Sequence, residues 1–159
     1  MIQDICDLIL ELETYLQNHA TLDYVQKVEA GIYHPENLPN FARWAVVISP
    51  VYEDEKSIAN RTKIETDHVK LWCIVKNFDP RLSVVGKIAD IGIIKLVKDV
   101  KAALIDFNKD KKDELTVLLN ELDSPIKYDT HPFPDRKDFF HEVGVPYSVK
   151  LKPIIRGEV

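Results

Sequence analysis

Apolar positions recur at three- and four-residue steps at the start of this chain. Ile2, Ile5, Ile9, Leu12 and Leu16 form one stripe, which predicts an amphipathic helix over residues 2–18. Leu8, Leu10 and Tyr15 fall off that stripe, so the helix is either widely buried or meets a second partner. Asn18 and His19 break the pattern, and a first strand is expected from Tyr24 to Ala30. Gly31, Pro35 and Pro39 mark a loop. The next strand, Trp44 to Tyr52, is apolar on both faces through Ala45, Val46, Val47 and Ile48, the signature of a central strand covered on both sides. Pro50, lacking an amide donor, implies a bulge or an edge position near its end.

A charged excursion, Glu53 to Arg61, separates this strand from a long one, Ile64 to Val75. In the latter Val69, Leu71, Cys73 and Val75 share a face, while the upstream end alternates with Glu65 and Asp67 and reads as solvated. The two strands are expected to form a hairpin whose outer part projects from the body. After a turn at Asn77-Phe78-Asp79-Pro80, Ile93, Leu96, Val97, Val100, Ala103, Leu104 and Phe107 define the clearest helix. Leu115 to Leu122 leans toward strand, and Asp123 to Lys137 reads as proline-punctuated loop. A last alternating strand carries Val143, Val145, Tyr147, Val149, Leu151 and Ile155, with Pro146 and Pro153 favouring an edge or bulged position.

The predicted order is α-β-β-β-α-(β)-β in a single domain spanning residues 1–159. It implies an α+β fold, a mostly antiparallel sheet of about four to five strands with two main helices on one face.

Composition narrows the function classes. At 159 residues the chain can bury about 70% of its unfolded surface. A net charge of −5 argues against a general phosphate-backbone binder. Cys6 and Cys73 match no metal or redox spacing and read as buried free thiols. Asp4 and Asp7 interrupt the apolar run that a signal peptide would need, and no stretch approaches the ~18 apolar residues of a membrane span. A soluble protein, intracellular when made, is expected.

No phosphate-binding glycine loop, GxSxG, HExxH or CxxC occurs, and five glycines leave little material for a nucleotide cradle. Three constellations offer chemistry. His131, Asp135, Asp138, His141 and Glu142 are ligand types for zinc or manganese, but Pro132 and Pro134 oppose the helix that would align them, so a polar loop is the simpler reading. Asp54-Glu55-Lys56 resembles the acid-x-Lys end of metal-dependent nucleases without their preceding proline–acid pair, and a solvated hairpin tip accounts for it. Tyr24, Trp44, Tyr52, Trp72 and Phe107 would stack on bases or a ligand if they shared one face, yet no basic residues interleave them and a core role is favoured.

The order of elements resembles the tail terminator and tail-completion proteins of tailed bacteriophages, including a small family encoded beside the sheath genes of Mu-like phages. The resemblance runs over residues 2–156. It rests on the helix IQDICDLILELETYL, the strand region ENLPNFARWAVVISPVY, the strand ending WCIVKNFDPR, the helix GIIKLVKDVKAAL and the strand VPYSVKLKPII. This chain departs from the pattern in its strand proline and in a longer loop between Asp123 and Lys137.

The resemblance implies a non-enzymatic structural protein of the virion, made in the host cytoplasm and working without a cofactor, membrane or specific nucleic acid. It would form a homo-hexameric ring that caps the tail tube, ends polymerisation and helps join tail to head. Its partners would be other copies of itself, the tube protein, and sheath or head–tail connector proteins. Candidate subunit or tube contacts are Glu53, Asp54, Glu55, Lys56 and Arg61 on the hairpin and Leu8 and Leu10 on the first helix. A strand edge near Pro146 or Pro153 would be covered by a neighbouring subunit. The alternatives are another neck component, such as a head–tail connector or sheath-capping protein, or a small metal-dependent enzyme using the His131–Glu142 segment.

Overall fold

The computed structural model describes residues 1–34, 43–59, 62–77, 79–88, 91–117, 127–132, 139–152 and 154–155. The first helix, α1 (Ile5–Gln17), starts where Asp4 accepts the Asp7 amide at 2.8 Å, an acidic N-cap at the positive end of the helix. Its buried face is Leu8, Leu12 and Leu16, with Ile5 and Ile9 half-buried at the margin. This corrects the predicted stripe: a step of four residues turns through 400°, so Leu8, Leu12 and Leu16 line up and Leu8 becomes core. A 3₁₀ turn, Ala20–Leu22, leads into β1 (Lys27–Ala30), shorter than the expected 24–30.

The hairpin is longer than its hydrophobic run. Strand β2 spans Trp44–Ala59 and β3 spans Thr62–Asn77, so the charged excursion is itself paired strand as far as Ala59. Backbone pairing needs no apolar side chains, and along β2 the apolar pattern ended where burial ended. Pro50 does mark a bulge: the pairing moves from Pro50↔Val69 to Tyr52↔His68, leaving Val51 as the extra residue.

A short helix, α2 (Pro80–Val84), stands where only a turn was expected. Asp79 accepts the Arg81 and Leu82 amides at 2.9 and 3.3 Å, and proline opens the helix. Helix α3 (Ile93–Asp110) buries the seven residues its periodicity marked. The remaining strands are β4 (Leu115–Val117), β5 (Asp129–Pro132), β6 (Phe139–Leu151) and β7 (Ile154–Ile155).

The fold is α+β. Five strands run β1-β2-β3-β6-β4, with β5 beside β6 and β7 beside β3. Every pairing is antiparallel except β1 with β2. α1 and α3 lie on one face, closing a core of Val46, Ile48, Leu71, Val145 and Tyr147 against Leu12, Leu104 and Phe107. The Tyr147 hydroxyl reaches through this core to the Asn108 side chain, which satisfies a polar atom that burial would otherwise strand. On the opposite face a small cluster gathers Tyr33, Ala45, Val47 and Ile74, with Trp72 beside it.

The edge expectation holds locally at Pro146, although the last strand as a whole is interior. β6 is interior, between β3 and β4, and only a stretch of its far side is open. β5 pairs with residues 139–142 and β4 with 149–151, so among the described residues Pro146 falls in the gap between them. Pro153 lies outside the described residues.

Candidate functional site

Two features of the hairpin stand out, an uncovered strand edge and a carboxylate cluster. The edge arises because β1 is short. It pairs with Ala45 to Ile48 only, and its own outer side is satisfied by α1: Gln17 donates to the Val28 carbonyl at 2.8 Å and Glu13 accepts the Ala30 amide. From Pro50 onward β2 has no partner on that side among the described residues, and every residue from Pro50 to Ser57 is exposed. Val51 and Tyr52, each about half exposed at 53%, are apolar exceptions in this charged stretch.

The predicted interface residues separate accordingly. Glu53, Asp54, Glu55 and Lys56 all lie on this exposed segment. Alternation sends Glu53 and Glu55 to the helix-bearing face and Asp54 and Lys56 to the other. Asp54 approaches His68 Nε2 at 3.7 Å, and Glu55 pairs with Lys63 at 3.2 Å. Tyr52 stacks on His68, ring centres 3.9 Å apart. Arg61 lies outside the described residues. Leu8 is fully buried in the chain's own core and is withdrawn as a contact residue, whereas Leu10 is 52% exposed. Leu10 borders a shallow cleft of about 610 Å³ shared with Thr14, Tyr15, His19 and Lys111.

The cluster was not anticipated. Glu53, Glu65 and Asp67 bring carboxylate oxygens within 4.8 Å of one another on the helix-bearing face. Glu65 and Asp67 are buried, Asp67 completely. No donor among the described residues reaches either Asp67 oxygen or Glu65 Oε2, and none of the three acids forms an ion pair there. Burial first, then the neighbouring Glu65 carboxyl and the charges of Glu53 and Asp4, push the Asp67 carboxyl up to about 8. Burial and the charges of Glu53 and Glu55 raise Glu65 as well. In the sequence, Glu65 and Asp67 sat in the segment read as solvated, so alternation alone carried no signal of their burial.

Among the described residues none of the three sequence constellations forms a complete site. His141 and Glu142 are successive residues of β6 and therefore face opposite sides of the sheet. His141 Nε2 lies 2.7 Å from Ser83 Oγ, tying β6 to α2, and burial holds its imidazole below the usual histidine range. His131 stands in β5 opposite Phe140, and Asp135 and Asp138 lie outside the described residues. Asp54 and Lys56 share a face, as an acid-x-Lys pattern needs, but among the described residues no second carboxylate joins Asp54 there, because Glu53 and Glu55 point the other way. The aromatics are likewise dispersed. Phe107 packs edge-on to Tyr15 in the core and Tyr24 to Trp44 beneath α3, while Tyr52 and Trp72 are on the other face. Cys73 is buried as expected, but Cys6 is exposed. Among the described residues no helix is long and apolar enough to cross a membrane.

No protein-family model matches this chain, and no curated protein matches it significantly.

Proposed function

We propose that this protein is a ring-forming structural component of a phage neck, a tail terminator that caps the tail tube, ends its polymerisation and helps join tail to head. The observation that carries the reading is the outer half of the hairpin. Residues 50–57 form paired strand whose side chains are all exposed and whose outer edge no described residue covers, a shape that a lone chain gains little by maintaining. Its charges and the Val51 bulge keep the free chain from indiscriminate strand pairing. A neighbouring subunit with complementary charge supplies the missing contact and sets the register. Leu10 and its cleft on α1 provide a second, apolar contact on the body of the domain.

Light scattering of the purified chain, alone and with tail tubes, tests this. The expected result is a closed ring of six 18.3 kDa chains, formed alone or on the tube, with electron microscopy placing it at tube ends. A monomer that neither closes in the presence of tubes nor binds them overturns the proposal. Rings that bind a head–tail connector or the sheath but not the tube assign it to another position in the neck.

A further inference from the structure

We propose that Glu53, Glu65 and Asp67 bind one hard divalent cation, of the calcium or magnesium class, at the base of the hairpin. Three carboxylate oxygens within 4.8 Å of one another fit around one ion, because oxygens on opposite sides of a cation bonded at about 2.4 Å are separated by about that distance. The donor set is all carboxylate, which selects hard ions over zinc or copper. The exposed Cys6 thiol borders the cleft but belongs to no ligand set here.

A second observation separates this cluster from an ordinary acidic patch. Asp67 is fully buried, and both of its oxygens lack a partner among the described residues. An uncompensated carboxylate in that position is costly, and it must be neutralised by a proton or by a bound cation. The described residues around it offer no side-chain alternative. Across the strand pairs stand Glu53 on β2 and apolar Val149 on β6, and the start of α1 adds the charge of Asp4. Lys63, on the same strand, is paired with Glu55 instead. A cleft of about 470 Å³ passes Glu53, Glu65 and Asp4, so an ion reaches the site from solvent.

The ion would join β2 to β3 where the hairpin leaves the helix-covered body. Carboxylates bind the ion in their deprotonated form, so binding releases any protons they hold and weakens as pH falls.

The test is calorimetric titration of the chelator-treated full-length protein at pH 7.5 with CaCl₂ and, separately, MgCl₂, paired with thermal unfolding. The expected result is saturable binding of one ion per chain with at least one of the two, proton release, and a raised Tm. Asp67→Asn, which keeps the shape of the neutral acid, and Glu53→Gln, at an exposed position, should each weaken binding at least tenfold while the protein still unfolds cooperatively. Absence of saturable binding and of a Tm shift with both ions overturns the proposal. So does binding that survives unchanged in either variant. Because the readout is ion binding to the single chain, its failure leaves ring formation untouched, and failure of ring formation leaves it untouched.

Discussion

Glu53 of β2 lies directly across the hairpin from Asp67 of β3 because one extra residue, Val51, shifts the pairing between them. Without that bulge the register of Pro50↔Val69 would continue to Tyr52↔Asp67, and Glu53 would fall on the opposite face. The bulge therefore does two things at once. It places Tyr52 against His68 on one side, and on the other it brings a third carboxylate to a buried pair.

That pair makes stability depend on pH in an unusual direction. Asp67 has its folded-state value raised, so between the ordinary carboxylate range and about 8 the folded chain holds a proton that the unfolded chain has lost. Stability of the metal-free protein should accordingly fall as pH rises through that window. Chemical denaturation at several pH values checks this, with Asp67→Asn as reference: its stability should change less over the same range. Equal slopes for the two proteins would mean that Asp67 ionises normally.

Leu8 and Leu10 should behave as opposites although they stand two residues apart. Leu8→Ala removes a fully buried side chain and should cost about 2–5 kcal/mol in unfolding free energy. Leu10→Ala alters a half-exposed position and should stay within about 0.5 kcal/mol. Under the proposed function, Leu10→Ala should nevertheless weaken ring closure, read by light scattering as a higher concentration requirement.

Gly92 is a steric requirement at the start of α3. A Cβ there would lie 2.3 Å from the Val84 carbonyl oxygen, a backbone atom that cannot swing aside. Gly92→Ala should destabilise the protein by about 1–3 kcal/mol or more, through displacement of α2 against α3. Denaturant titration measures it, and a change below about 0.5 kcal/mol would show that the two helices separate freely.

Deleting residues 56–60 shortens the hairpin beyond its cluster of acids. The fold should persist, since the core lies among α1, α3 and the strand segments closer to the body. Under the proposed function, assembly and tube capping should weaken. A deletion variant that still forms full rings and caps tubes would remove the hairpin tip from the interface.

Much of the architecture follows from the one-dimensional pattern. α3 buries the residues its period marked, β6 alternates as its sequence does, and the hairpin with a bulge at Pro50 was legible from apolar runs and one missing amide. Such features depend on local geometry, the 3.6-residue turn and the two-residue pleat, which every chain obeys. Tertiary structure decided the rest. Which stripe of α1 became core depended on where the sheet lay, and β2 and β3 extended as strands because their backbones paired, whatever their side chains. The meeting of Glu53, Glu65 and Asp67 required a register across two strands and a covering helix end. No periodicity encodes that, because an acidic residue on an alternating strand looks solvated until the fold places something over it.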